Sequence, residues 1–293
     1  MTDWQEKARA ATVRKNRMMS FGPYARGLLI EGKRGLFVVD PEDSSVTGWL
    51  LSEGTYAENE LALASSFLGS KSDVLIVGTH IGALAIPLSK QCKSMDVVEA
   101  NPDTQRLLKA NLLLNECANV TLHPIAASDS RDPISFLKNR DNSGGSKRKP
   151  LVDHVHYVYD EPEVVTLDAW PLDQRLGDKS YDLIIMDIEG SEYFALKGMP
   201  KILTNARAMA IEFLPHHIKD VAGVSIADFC QLLQPNFNWM YIPGKNALIP
   251  SEKFMEFLSA SFDAGHGYDA IYLMKDAPDA WMRVWNVHRP GAD

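Results

Sequence analysis

DVLIVGTHIGALAIPLSKQCKSMDVVEANPD, residues 73–103, is the stretch whose reading decides the fold. Val74 to Val77 are apolar on both alternating faces and rich in β-branched side chains, the pattern of a strand buried on both sides. Gly78 and Gly82 punctuate the chain next, and ALAIPLSKQC reads as a helix with Pro87 near its first turn. MDVVEA repeats the buried strand. Asn101, Pro102 and Asp103 then supply a cap, a first-turn proline and an acid near the positive helix end. Leu107, Ala110 and Leu114 give that helix its expected apolar face. Strand, turn, helix, strand, helix is the grammar of a parallel sheet.

The same grammar continues outward. NVTLHPIAA is a third strand, and YDLIIMD a fourth, followed by a short helix from about Ser191 to Lys197 that Gly198 stops. ARAMAIEFLP is a fifth strand, and Ser225-x-x-Asp228 opens a further helix as a capping box. FNWMYIP and YDAIYLMK close the series as strands. The expected fold class is therefore α/β and Rossmann-like, with helices on both faces of a mostly parallel sheet.

Two segments stand outside this rhythm. Residues 1–60 read as an extension: a basic amphipathic helix over 1–20, then a hairpin in GLLIEGKRGLFVVDPED. The main domain is expected over 61–293, beginning with a helix that places Leu61, Ala64 and Leu68 on one face. An inserted loop and hairpin interrupts it at about 130–165. There LKNRDNSGGSKRKP reads as a flexible basic loop, and HVHYVYDEPEVVTL as paired strands with His154 and His156 on a solvated face.

Composition narrows the function. The net charge of −8 argues against a phosphate-backbone partner, so nucleic acid is excluded from the expected partners. Cys92, Cys117 and Cys230 show no paired spacing, which suits a reducing compartment, and the first twenty residues lack the apolar core of a signal peptide. The longest apolar stretch is broken by His80 and Pro87, so no membrane span is expected. The reading is a cytoplasmic protein. Trp281 and Trp285, four apart, suit a helix packed on the sheet or on a second subunit, which leaves a homodimer open.

Parallel sheets bind ligands at the carboxyl ends of their strands. After the first strand, VGTHIG departs from a dinucleotide fingerprint: His80 stands where a pyrophosphate would need glycine, so NAD and FAD are poor ligands. A phosphate-free nucleoside needs only the tight turn. Glu99 lies 21 residues after Gly78, the spacing of an acid that grips both ribose hydroxyls. Asp187 ends an apolar strand, where a charge is costly unless a ligand, a cation or water meets it. Glu189 and Glu192 follow it around Gly190. No P-loop motif is present.

With these residues the chain resembles the FkbM family of S-adenosylmethionine-dependent class I methyltransferases. The likeness runs from about residue 40 to 245 and rests on VGTHIG, VVEANPDTQRLLKANLLLN, AASD, VVTLDAW, DLIIMDIEGSE and IEFLP. The Asp-x-Glu-Gly-x-Glu element is its most specific part. Ile76, Thr79, His80 and Ile185 depart from the family pattern, which has Asp, Ala, Asn and Lys at those places. The resemblance implies a seven-stranded sheet and O-methylation of a sugar or other small-molecule hydroxyl, with S-adenosylmethionine (AdoMet) as cofactor. It implies that Gly78, His80 and Gly82 line the methionine part, that Glu99 holds the ribose, that Ser128 and Asp129 lie beside the adenine, and that Ala100, Asn101 and Asp187 are also among the cofactor-binding residues. Asp187 would face the reacting centre. Candidate bases are Asp187, Glu189, Glu212 and His216 or His217. Strand-end carboxylates suit Mg²⁺, yet the reading favours catalysis without a resident metal. N-methylation of a small amine and a catalytically silent AdoMet-fold partner protein are the alternatives.

Overall fold

The computed structural model describes residues 12, 15, 16, 19–22 and 24–276. The expected N-terminal helix lies mostly outside the described residues, and Trp281 and Trp285 lie wholly outside them. The first described strands, β1 (Leu28–Gly32) and β2 (Gly35–Val39), form the antiparallel hairpin that the sequence predicts. Helices Val46–Glu53 and Glu58–Ser65 follow. The main sheet then begins with β3 (Asp73–Val77), β4 (Ser94–Val98) and β5 (Val120–His123). A two-residue strand β6 (Ala126–Ala127) leads into β7 (Ile134–Lys138), β8 (Lys147–Arg148) and β9 (Glu163–Leu167) of the insertion. Strand β10 (Ala169–Trp170) pairs with β6, after which β11 (Leu183–Met186) and β12 (Ala208–Phe213) rejoin the main sheet. Strands β13 (Trp239–Ile242), β14 (Ala247–Pro250) and β15 (Tyr268–Met274) complete it.

The main sheet runs β14-β13-β15-β12-β11-β3-β4-β5. Strand β15 is antiparallel to β12, while β12, β11, β3, β4 and β5 run parallel. Seven strands match the Rossmann-like expectation, and β14 adds an eighth at the edge that the sequence reading did not resolve from β13. The helix Phe254–Asp263, between β14 and β15, was likewise unread. Strand order reverses between β3 and β11, and a doubly wound sheet opens a crevice at such a reversal. Apolar side chains cover both faces. Leu75, Val77, Ile184 and Met186 join one core cluster; Val74, Ile76 and Leu183 join the other. This is the pattern of a strand buried on both sides, as its sequence implied.

Two expectations need correction. The helix Pro102–Leu114 is capped by Asn101 as expected, but its buried residues are Thr104, Leu108 and Asn111, and Leu114 is exposed. The reason is polar packing. Asn111 Oδ1 accepts from the Val38 N–H at 2.6 Å, and its Nδ2 donates to the Val38 and Ile81 carbonyls at 3.1 and 2.9 Å. Asn115, one turn later, makes the same paired bonds to Leu36. The two amides act as a surrogate strand edge for β2, so polar side chains occupy the buried face.

The insertion is also more ordered than its composition suggests. Strands β8 and β9 both pair antiparallel with β7, and Asn139, Asp141, Gly145, Ser146 and Lys147 are buried. His154 caps the helical turn Val155–Val158 through a bond from the His156 N–H, so neither histidine stands on a strand. Glu163–Leu167 is a strand, as expected.

Replacing Asn111 by alanine should strip three partners from the backbone around β2 and the glycine turn. A loss of about 2–3 kcal/mol is expected, read as a lowered urea midpoint with an unchanged denaturant slope.

Candidate functional site

Gly78 ends β3 with φ at +89°, and a Cβ built there would lie 1.7 Å from the Asp187 carbonyl oxygen. Only glycine permits that approach and that backbone angle. The turn therefore brings the ends of β3 and β11 into contact. A cavity opens there, with Gly78, His80, Glu99, Ala100 and Asp187 in its wall. Sequence reasoning named all five. Ala126, Ala127, Ile134 and Phe136 supply an apolar side, and Ser143, Gly144 and Ser146 bring the insertion to it.

Glu99 follows β4 and is buried. Its Oε2 accepts from the His80 N–H at 2.7 Å and its Oε1 from the Asn101 N–H at 2.8 Å. Burial raises its pKa to about 7 against the opposing effect of these N–H donors. Each carboxylate oxygen retains a second lone pair for an outside donor.

His80 adopts φ of +52°, unusual for a residue with a Cβ. Its Nε2 lies 2.7 Å from Ser143 Oγ, which lies 2.6 Å from Asp43 Oδ2. Asp43 Oδ2 also accepts the Ser143 N–H at 2.9 Å. The serine hydroxyl donates to Asp43, so its oxygen accepts from the imidazole. His80 is thereby fixed with its proton on Nε2. Burial lowers its pKa, with Asp43 and Glu189 opposing, and Nδ1 is a buried lone pair with no protein partner.

Asp187 is open to solvent through the cavity while protein surrounds it. Burial, then the charges of Glu189 and Glu192, hold its pKa well above the ordinary carboxylate range. Glu192 closes the loop beyond it: its carboxylate accepts the N–H groups of Ile188 and Gly190, both at 2.8 Å. Glu192 thus sits in the first turn of its helix and bonds the loop directly. Gly190 at φ +98° packs where a Cβ would strike Val221.

Glu189 turns away from the cavity wall. Its Oε2 accepts from Lys147 Nζ at 2.8 Å and lies 3.4 Å from His217 Nε2. His217 Nδ1 lies 3.2 Å from Glu212 Oε2. Burial, then the nearby charge of Lys147, pushes the His217 pKa down to about 2, so the ring is neutral. Burial and the charge of Asp187 push Glu212 well above its ordinary value. His216, the other histidine considered as a base, stacks on Tyr157 with ring centres 6.3 Å apart. It is absent from the cavity wall, as are Glu189 and Glu212. Asp187 is the candidate base that the cavity reaches.

Four other candidates lie elsewhere. Gly82 makes room for Leu108 rather than a ligand, its Cβ position falling 2.9 Å from Leu108 Cδ1. Asn101 caps its helix and reaches Ser146 Oγ at 3.4 Å. Ser128 accepts from Arg148, and Asp129 pairs with Lys197. Ala126 and Ala127 stand in the wall instead, because the β6–β10 pairing fixes the chain two residues earlier. Ile185, where the family pattern has lysine, packs into an apolar cluster. Asp43, Ser143 and Lys147 were missed; small polar residues around Gly144 and Gly145 were the available signal, and it reads equally as a loop.

The profile of the methyltransferase FkbM domain matches residues 77–238, more than half of the chain. No curated protein matches the chain in sequence. Among solved structures, the methyltransferase FkbM from Methylobacillus flagellatus KT is similar at 16% identity and a TM-score of 0.40, over 72% of this chain and 47% of that one. The chain thus spans about half the length of that protein. M. jannaschii TYW2, solved in complex with AdoMet, is similar at 13% identity and a TM-score of 0.42, over 86% of this chain and 87% of that one. An rRNA methylase from Streptococcus thermophilus is similar at 12% identity and a TM-score of 0.41, over 75% of this chain and 95% of that one.

A carboxyl whose pKa rises from 4.5 to about 7 on folding favours the folded state when protonated. The Glu99 contribution is complete below about pH 4.5 and is lost as pH rises through 7, at 1.36 kcal/mol per unit about 3 kcal/mol in all. In the ligand-free protein, Glu99→Gln should flatten the fall in stability between pH 5 and 8 by that amount. Urea melts across this range test it, and parallel slopes for the two proteins would refute it.

Proposed function

The chain belongs to the FkbM methyltransferase family, and from that premise we propose that it transfers the methyl group of AdoMet to a hydroxyl of a small-molecule acceptor, a sugar or another natural product. The observation that carries this reading is the convergence of Glu99 and Asp187 on one cavity, on either side of Gly78. A phosphate-free nucleoside suits it. The ribose hydroxyls donate to the free lone pairs of Glu99, and the adenine lies against Ala126, Ala127, Ile134 and Phe136. The methionine end lies toward His80.

The chemistry is a single displacement. An acceptor oxygen forms a bond to the methyl carbon as the carbon–sulfur bond breaks, and the sulfur keeps the electron pair. Positive charge on sulfur is lost, and the hydroxyl proton leaves to Asp187. The products are a methyl ether, S-adenosylhomocysteine and a protonated carboxyl. AdoMet supplies the activated methyl, so the protein's part is alignment and proton removal. A carboxylate with a raised pKa is a better base for this step than an ordinary one.

No helix among the described residues is long and apolar enough to cross a membrane. A cytoplasmic location, with no membrane or nucleic-acid partner, belongs to the same proposal, supported by the net charge of −8 and the unpaired cysteines.

Two substitutions separate the roles. Glu99→Gln should weaken S-adenosylhomocysteine binding about 10- to 100-fold in calorimetric titration, because a charged acceptor is worth about 1.5–3 kcal/mol. Asp187→Asn should leave that affinity within about threefold and cut turnover about 10²- to 10⁴-fold, the usual range for a lost general base. Failure of the unsubstituted protein to bind S-adenosylhomocysteine would end the reading.

A further inference from the structure

Asp187, Glu189, Glu192 and Glu212 crowd the ends of β11 and β12. Glu189, Glu212 and His217 each offer a donor atom, and these three lie within 4.8 Å of one another. Oxygen and imidazole donors so spaced are what a divalent cation bridges. Something else already reaches two of the three. The Lys147 ammonium lies 2.8 Å from Glu189 Oε2 and 3.4 Å from His217 Nε2, and the residue is 7% exposed. The face of Tyr157 stands 5.5 Å away on another side. Lysine is seldom buried to this degree unless paired, and among the described residues it makes the only Lys or Arg ion pair to these four carboxylates.

We propose that Lys147 is the built-in cation of this site. Its ammonium takes the place of a divalent ion, neutralising Glu189 and fixing His217 between Glu189 and Glu212. Asp187 then remains the one carboxylate of the four that opens on the cavity. Lys147 is a positioning residue, acting on the proton acceptor through Glu189. It arrives on β8 of the insertion, so the segment that walls the cavity also supplies the charge behind it. The purpose assigned to this arrangement rests on the methyl-transfer reading; the arrangement itself does not.

Removing the ammonium should uncover a metal site. Free Mn²⁺, followed by its electron paramagnetic resonance signal, is titrated into the full chain and into Lys147→Ala and Lys147→Met. The methionine variant keeps length and bulk without charge, and circular dichroism checks that each variant folds. Both variants should bind Mn²⁺ at least about tenfold more tightly than the unsubstituted protein. Adding His217→Ala to Lys147→Ala should abolish the gain, which locates the ion. Equal Mn²⁺ affinity with and without Lys147, or a gain that survives loss of His217, overturns the proposal. Mn²⁺ bound tightly by the unsubstituted protein at Glu189, Glu212 and His217 overturns it as well, whether or not a variant folds. S-adenosylhomocysteine titrated into the same samples tests the methyl-transfer reading separately, since its failure to bind leaves the Mn²⁺ comparison intact.

Discussion

The contact between Gly78 and the Asp187 carbonyl is the constraint from which the site follows. A side chain at 78 would overlap that oxygen, and the left-handed φ would strain it further. With the side chain absent, the N–H groups of Gly78 and Thr79 both turn onto the Val98 carbonyl at the end of β4, at 2.9 and 3.2 Å. The same turn then delivers the His80 N–H to Glu99. One missing methyl group thus ties three strand ends together and sets two carboxylates on opposite sides of one opening. The reversal of strand order at β3 and β11 makes room for it, because no neighbouring helix can cover both sides of that seam.

The charges behind this opening are arranged unevenly. Glu99 and Glu192 each accept hydrogen bonds from backbone N–H groups, which partly offset their burial. Glu189 has an ammonium. Asp187 has neither bond among the described residues; the neighbouring acids raise its pKa further, with the charge of Lys147 opposing them. Like charges in one enclosed volume cannot all ionise at low cost, and Asp187 and Glu212 are both pushed well above the ordinary carboxylate range. Of the two, Asp187 faces the cavity. The arrangement suits a site that must accept a proton during each turnover and release it afterward.

Much of the frame was legible because it is local. Short apolar runs, caps at Asn101 and Ser225, and glycines at strand ends each speak for a few residues, and they placed the main-sheet strands β3, β4, β5, β11, β12, β13 and β15. Glu99 and Asp187 were legible for a related reason: an acid at the end of a buried strand needs an explanation. The helix Phe254–Asp263 is a local element that the sequence reading did not identify; the other failures are non-local. Asn111 and Asn115 looked like polar interruptions of a helix, and only the approach of β2 explains why they are buried. Lys147 looked like one of several loop cations, since nothing nearby in sequence shows that Glu189 will meet it. His217 and His216 are adjacent, and sequence offered no ground for choosing between them. The turn of the chain after Pro215 decides it, pointing one ring at Glu212 and the other at Tyr157.

The site also divides by origin. The part that would hold the ribose is built from the ends of β3 and β4 and their turns, elements stitched into the central sheet by backbone bonds. The other half comes from Asp43 before the first helix, from Ser143 to Lys147 in the insertion, and from His217 after β12. These pieces are joined by side chains: Asp43 to Ser143, Ser143 to His80, Lys147 to Glu189 and His217. A backbone-built half keeps its shape under substitution, whereas a half built from side-chain bonds changes with each residue. Ile185 packs into an apolar cluster, and the ammonium that meets Glu189 arrives instead from Lys147 of the insertion. The insertion also carries Leu151, Val152, Val155, Val158 and Val164, all exposed, so the variable half presents apolar surface as well as charge. In this half one altered side chain redraws the wall, while the ribose part stays fixed.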